Sequence, residues 1–333
     1  MKIIFLGTPE FAQNVLIDLQ HLYPYKVVAV VTQPDKKVGR GAKLQYSAVK
    51  RTALVEDLEI LQFKNINKPE AIEKLKSYNA DLMITCAYGQ ILKQEVLDIT
   101  PLGVFNIHAS LLPKYRGAAP IQWAVINGET KTGITIMKSD KGMDTGDILL
   151  KEEFEIKKGM TAGDVFEGLT ALTCTGAGFP SKNFENGRVL SKALEILESG
   201  NYTLTKQDNI EATYARMLKK EDGLINWNKT NTEIMNLIHG TNSWPGAYTF
   251  LDGKKLKVHT ANACTGCNED IKEQIKNAKP GQILIADAKI GLLVKAGEGA
   301  VKLSEVQLAG GKRMSDKAFL NGKKLEKGSF FGE

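Results

Sequence analysis

Residues 2–7 read KIIFLG and run at once into TPEF (8–11). A short, unbroken apolar run closed by Gly7 is the pattern of a strand buried on both faces, as in a parallel sheet. Thr8 is placed to cap a following helix, Pro9 suits its first position, and Glu10 favours the positive end of its dipole. The pattern recurs in KVVAVVTQ (26–33), in DLMITCAYG (81–89) after the helical KPEAIEKLKSYN (68–79), in GVFNIHAS (103–110) and in TGITIMKSD (132–140). Strands alternating with helical segments predict an α/β fold, a Rossmann-like parallel sheet with right-handed crossovers. GTPEFA (7–12) carries one glycine and no GxGxxG follows the first strand, so the dinucleotide fingerprint is absent and a dehydrogenase loses its support.

With 333 residues the chain exceeds what one hydrophobic core usually organises, and two domains are expected. Periodicity fails around FPSKNFENGRVLSK (179–192), and polar residues continue through ESGNYTLTKQDN (198–209). The expected division is a first domain over 1–185, a linker over 186–208 and a second domain over 209–333. After a short helical pattern, TEIMNLIHG (232–240), the second domain changes to short strands joined by Gly- and Asp-containing turns. DGKK (252–255) invites a hairpin, and the whole suits a small OB-like β-barrel, a type that often binds nucleic acid. No internal repeat is evident.

Composition, at 43% hydrophobic and 25% charged residues, is that of an ordinary soluble globular protein. No apolar run approaches the roughly 18 residues of a membrane span, and the N-terminal run is too short for a signal peptide, so a cytoplasmic protein is expected. The formal charge is +6, and from Lys206 onward 20 Lys/Arg face 15 Asp/Glu. Such an excess suits a solvated surface or a phosphate-rich partner equally. The cysteines are Cys86, Cys174, Cys264 and Cys267. CTGC (264–267) lacks a second pair, and with His259 it offers too few ligands for a structural zinc site. No metal is expected, and the thiols read as reduced and incidental.

Chemistry concentrates in VFNIHASLLPKYRGAAPIQWAVINGE (104–129). In a strand, Val104, Asn106 and His108 share one face while Phe105 and Ile107 take the other. Asn106 and His108 also lie at the carboxyl end of their strand, where open α/β sheets bind ligands. A neutral hydrogen-bond donor beside a group that exchanges protons near neutrality suits acyl transfer to an amine. A polar strand end that is merely satisfied fits the same spacing. A carboxylate could complete the set, and KSDKGMDTGDIL (138–149) supplies Asp140, Asp144 and Asp147. Spacing does not choose among the three, and the D-x-D-x-D-G pattern of a calcium loop is missing.

NIHASLLPKYRGAAPIQWAVINGE (106–129) with GMDTGDIL (142–149) resembles the signature of the folate-dependent formyltransferases. TQPDKKVGRGAKLQYSAVK (32–50), TYARMLKKEDGLINW (213–227), NSWPGAYTF (242–250) and VQLAGGKRMS (306–315) extend the resemblance over essentially the whole chain. The resemblance implies transfer of a formyl group from 10-formyltetrahydrofolate to the α-amine of methionine on charged initiator tRNA. Asn106, His108 and Asp144 match the family's catalytic positions. Ser110, Leu111, Leu112 and Pro113 match its folate site, together with the backbone of AYGQIL (87–92), that is Tyr88, Gly89, Gln90, Ile91 and Leu92 after Ala87.

For tRNA, the resemblance implies that the basic insertion grips the acceptor arm through Arg40, with Lys36, Lys37 and Lys43 beside it. Lys312 and Arg313 are candidate phosphate contacts in the second domain, whereas Trp244 and Tyr248 could stack on nucleotides but are expected to pack its barrel. Two departures from the family pattern concern the linker's path and domain packing: LTCTGAGFPSKNF (172–184) is a poor long helix, and INW (225–227) lacks an Asp before the Trp. A monomer is expected. The rivals are a formyltransferase for a sugar nucleotide or other small amine, which would need neither Arg40 nor a basic barrel, and an RNA-binding module on an inactive fold.

Overall fold

The computed structural model describes residues 1–38, 43–176, 183–264 and 269–332. It divides into two compact units, one of Met1–Pro120, Lys131–Glu155 and Phe166–Arg216, the other of Ile121–Thr130, Ile156–Val165 and the chain from Met217 on.

The first unit is built on β1 (Lys2–Gly7), β2 (Lys26–Val31), β3 (Ile60–Leu61), β4 (Leu82–Cys86), β5 (Val104–His108), β6 (Lys131–Lys138) and β7 (Ile148–Glu155). They form one sheet in the order β7-β6-β5-β4-β1-β2-β3. β1 to β5 pair in parallel, whereas β6 runs antiparallel to both β5 and β7. The parallel α/β expectation therefore holds for the centre, and the fifth predicted strand, TGITIMKSD, is corrected in direction. An apolar run reads the same whichever way its strand points, so only the pairing reveals this.

β1 and β4 are buried along nearly their whole length because helices cover both sheet faces. Ile4, Leu6, Val31, Met83 and Val104 share one core with Leu75 from helix α3 (Pro69–Lys76). Helix α1 (Glu10–His21) begins after Pro9 with no side-chain cap. Thr8 does not cap it. Its hydroxyl donates instead to the Tyr88 carbonyl at 2.9 Å, tying the loop after β1 to the loop after its neighbour β4. Helix α2 (Ala48–Val55) is capped by Ser47, whose Oγ accepts from Lys50 N–H at 3.0 Å.

The segment expected as a linker contains helix α4 (Val189–Ser199), ended by Gly200. Its residues Leu190, Ala193, Leu194 and Leu197 are buried at helical spacing, and the chain through Arg216 groups with the first unit.

The second unit is an antiparallel sheet with helix α5 (Asn231–Gly240) against it. Its strands β8 (Ala247–Leu251), β9 (Lys254–Ala263), β10 (Ile283–Asp287), β11 (Gly291–Lys295) and β12 (Ala300–Leu308) lie in the order β8-β9-β12-β11-β10. This is the small antiparallel β domain that the sequence led one to expect, with helices Glu269–Asn277 and Asp316–Gly322 added to it. The β8–β9 hairpin turns at Asp252 and Gly253, both with positive φ (50° and 69°), as the DG pair predicts. Trp227 anchors the core, stacked on Phe331, its Nε1 donating to Thr249 at 3.1 Å. Trp244 does not pack the core as expected but stands 53% exposed, and Tyr248 is partly buried beside Phe250 with the Lys255 ammonium over its ring.

Candidate active site

β5 brings Asn106 and His108 to the end of the sheet, and its parallel register with β4 sets Asn106 beside Thr85. Thr85 Oγ1 donates to Asn106 Oδ1 at 2.7 Å, and Asn106 Nδ2 donates to Asp144 Oδ1 at 3.2 Å. The orientation of this amide is forced, because a carboxylate only accepts and must face the NH2 group. Asp144 Oδ2 accepts the Gly117 N–H at 2.8 Å and lies 3.6 Å from His108 Nδ1. On the far side of the ring, His108 Nε2 sits 2.9 Å from the Tyr115 carbonyl oxygen. A carbonyl cannot donate, so Nε2 carries the hydrogen, and a further proton arriving on His108 goes to Nδ1, facing Asp144.

The three aspartates of the β6–β7 turn are thereby separated. Asp140 closes its own turn, Oδ1 accepting from Gly142 N and Thr145 Oγ1 at 3.0 and 2.6 Å. Asp144, held in the left-handed region at φ 54°, is the one whose carboxylate reaches Asn106 and His108. His108 is 5% exposed, so the arrangement operates largely out of water.

Beside it, the SLLP segment is fastened to β6. Thr135 Oγ1 donates to the Ser110 carbonyl at 2.7 Å and accepts from Leu112 N–H at 3.1 Å, while Ser110 Oγ donates to the Lys114 carbonyl at 2.6 Å. Leu112 is fully buried with Met137 and Ile148, its carbonyl accepting from Lys151 Nζ at 3.2 Å; Leu111 and Pro113 are partly exposed. In the loop after β4, the Gln90 side chain bridges Ile66 N–H and the Phe63 carbonyl, at 2.9 and 3.0 Å. Tyr88 and Leu92 are buried, Gly89 is exposed, and Ile91 presents a 60% exposed side chain.

The basic insertion is a two-stranded ribbon, Lys36–Val38 against Lys43–Gln45, with Lys36 and Lys37 exposed. Arg40 lies outside the described residues, as does the side chain of Lys43. The ribbon's base is clasped. Lys50 Nζ donates to Asp35 Oδ2 at 2.6 Å and to Gln62 Oε1 at 2.9 Å, and Gln62 Nε2 donates to Asp35 Oδ1 and to the Gln33 carbonyl, each at 2.9 Å. Gln33 Nε2 in turn donates to the Tyr88 carbonyl at 3.2 Å. Lys312 and Arg313 are exposed in the second unit, and Arg313 pairs with Glu305.

Among the described residues no group of three His, Cys, Asp or Glu could hold a metal. Cys86 and Cys174 are free and buried, and burial pushes both thiols well above the ordinary range, which leaves them unreactive. Cys264 is disulfide-bonded rather than a free thiol as expected, and Cys267 lies outside the described residues.

The sequence pointed to Asn106, His108 and Asp144, and the structure brings them together. It did not point to Thr85, Gln207 or Thr213, which hold them. Thr85 was findable, since it stands next to last in β4, the strand beside β5; Gln207 stands in polar sequence with no periodicity, and Thr213 opens a motif (213–227) that gave it no role.

A site of this kind, on this sheet, matches one family along most of the chain. Residues 1–173 match formyl transferase, and residues 217–324 match the formyl transferase C-terminal domain. The chain belongs to the formyl transferase family. Its full-length relatives include methionyl-tRNA formyltransferases from Ruminiclostridium cellulolyticum, 43% identical over the whole of both chains, and from Acetivibrio thermocellus, 44% identical over the same span. Among solved structures, an N-formyltransferase from Helicobacter canadensis, in complex with folinic acid and dTDP-3-aminofucose, has the same fold. It aligns at a TM-score of 0.61 and 19% identity, over 91% of this chain and 98% of that one. A methionyl-tRNA formyltransferase from Clostridium thermocellum aligns at 0.53 and 19% identity, over 80% of this chain and 95% of that one.

Proposed function

We propose that this chain transfers the formyl group of 10-formyltetrahydrofolate to the α-amine of methionine on charged initiator tRNA, acting as a cytoplasmic monomer. The first unit supplies the chemistry and the second holds tRNA. The observation that carries the reading is the Asn106–Asp144–His108 set, in which one ring nitrogen is committed to the Tyr115 carbonyl and the other faces Asp144.

In the reaction the amine nitrogen bonds to the formyl carbon, and the carbonyl oxygen takes up negative charge. Asn106 donates its remaining amide hydrogen to that oxygen. The neutral amine is the nucleophile; His108 Nδ1 accepts the proton its nitrogen sheds on bonding to the formyl carbon, and Asp144 stabilises the resulting imidazolium. Collapse breaks the bond from the formyl carbon to the folate nitrogen, and the proton passes to that nitrogen. A preorganised donor of this kind is typically worth about 10²–10³ in rate.

For the formyl donor, Ser110, Leu111, Leu112 and Pro113 line one side and the loop of Tyr88, Gly89, Gln90, Ile91 and Leu92 the other. Leu111 and the exposed Ile91 give a flat heterocycle apolar contact, and the backbone gives it hydrogen bonds. The folinic acid in the Helicobacter canadensis structure supports a folate here. The clasped ribbon, with Lys36, Lys37, Arg40 and Lys43, grips the acceptor arm, and Lys312 and Arg313 meet phosphates further along it.

The test offers purified protein and 10-formyltetrahydrofolate three acceptors in parallel: methionine-charged initiator tRNA, charged elongator tRNA and a sugar-nucleotide amine. Formylation of the initiator alone is expected. Preference for the small amine would overturn the substrate, and no transfer at all would overturn the activity.

A further inference from the structure

The chain from Thr205 to Ala215 falls between the two family matches, which end at residue 173 and resume at 217. It is bonded to the site repeatedly. Thr205 and Ile148 exchange both backbone hydrogen bonds, each at 2.8 Å, where β7 leaves the Asp144 turn. Gln207 Nε2 donates to the carbonyl oxygens of Asp144 and Gly146 at 2.9 and 2.7 Å. Gln207 Oε1 accepts from Arg116 Nε and Nη2 at 3.1 and 2.7 Å, and Asn209 Oδ1 takes Nη2 at 2.8 Å. Thr213 Oγ1 accepts the Tyr115 N–H at 2.8 Å. Tyr214 and Ala215 then pair in parallel with Arg116 and Gly117.

We infer that Gln207 and Thr213 are positioning residues for formyl transfer, Gln207 fixing Asp144 and Thr213 fixing His108; this rests on the roles given to Asp144 and His108 above. Asp144 occupies a left-handed conformation (φ 54°) that a non-glycine residue keeps only when its surroundings hold it. Both of its carboxylate oxygens are engaged with Asn106, Gly117 and His108, so the backbone of the turn has to be held from elsewhere. Gln207 does so through two carbonyls of that turn. Arg116, 2% exposed, decides which way Gln207 points, because a guanidinium only donates and so faces the amide oxygen. Nε2 is thereby left for the Asp144 turn. At the other end Tyr115 is also left-handed (φ 61°), and it receives the Thr213 bond on its N–H while its carbonyl meets His108 Nε2. One segment thus braces both partners of the 3.6 Å His108–Asp144 contact.

The experiment separates this role from a structural one. Gln207→Glu keeps an acceptor for Arg116 and turns a second acceptor on the two turn carbonyls. Its kcat with charged initiator tRNA is expected to fall about 10²-fold, the cost of an ångström-scale misplacement, with both KM values unchanged. In an Asp144→Asn background the same change is expected to cost less than about threefold, because both act on one element. Thr213→Val, which removes a single hydroxyl acceptor, is expected to lower kcat about tenfold with KM unchanged, and it carries the test if Gln207→Glu does not fold. Wild-type kcat in the folded Gln207→Glu or in Thr213→Val, or a loss from Gln207→Glu that is equal in both backgrounds and tracks a lowered Tm, overturns the inference. Asp144→Asn with wild-type turnover would instead sink the role of Asp144 itself.

Discussion

Asn106 and Asp144 stand 38 residues apart in the chain and meet at 3.2 Å, amide to carboxylate. The bond uses one hydrogen of the Asn106 NH2 group, and Thr85 holds its oxygen, so a single N–H remains for a ligand. Asn106→Ala removes that N–H and is expected to lower kcat about 10²–10³-fold with little change in either KM. His108→Ala and Asp144→Ala are expected to abolish turnover while leaving tRNA affinity near normal. Single-turnover formylation with a parallel tRNA binding curve checks all three, and a wild-type rate in any of them would remove that residue from the chemistry.

The clasp at the base of the ribbon predicts a different signature. Asp35→Asn keeps the shape of the side chain and loses the charge paired with Lys50. The expected result, if the ribbon grips tRNA as proposed, is a several-fold lower kcat/KM for charged tRNA and an unchanged KM for the formyl donor. Arg40→Ala should exceed it in the same direction.

Acid exposes the same group. Burial pushes the Asp35 carboxyl up, but hydrogen bonds from Lys50 and Gln62 outweigh this and hold it below its ordinary value. A carboxylate lowered on folding contributes stability that is complete above its unfolded value, about 3.9, and lost as pH falls through the folded value. Wild-type protein should therefore lose more stability than Asp35→Asn on acidification below about pH 4. Parallel acid titrations followed by circular dichroism would reveal it, and superimposable curves would argue against the clasp.

A methyl group at Gly146 would drive into the Lys138 carbonyl oxygen. Neither partner of that clash is a flexible side-chain end, so Gly146→Ala has to displace the Asp144 turn. A destabilisation of about 1–3 kcal/mol is expected, with a fall in kcat beyond what the loss of folded protein explains. Thermal unfolding beside active-site titration separates the two effects.

In the second unit, Arg313 is tied to Glu305 while Lys312 is exposed. Lys312→Ala should weaken tRNA binding without regard to sequence and lower the slope of log K against log salt by about 1. Binding measured across a salt series decides it, and an unchanged slope would take Lys312 off the phosphate path.

What the sequence made legible follows from periodicity. β1, β2 and β4 are apolar runs with nothing else to become, and the DG hairpin is written in two residues. The direction of β6 was not legible, since TGITIMKSD buries equally well either way. Thr8 had the chemistry of a cap, but the loop after a neighbouring strand offered its hydroxyl a carbonyl instead. Helix α4 carries a readable stripe, Leu190, Ala193, Leu194 and Leu197, hidden by the Gly- and Pro-containing stretch before it. Asp140, Asp144 and Asp147 are alike in composition, and it is backbone conformation that singles out Asp144. Gln207 meets carbonyls 61 and 63 residues upstream, a relation with no local trace.

That relation bears on how the protein can be divided. Cut at residue 185, the end of the first domain as the sequence suggests it, an isolated fragment would retain Asn106, His108 and Asp144 and discard Gln207 and Thr213. A stand-alone catalyst carved from this chain has to run past Ala215, thirty residues beyond that cut, or it will carry the right groups in a site free to drift apart.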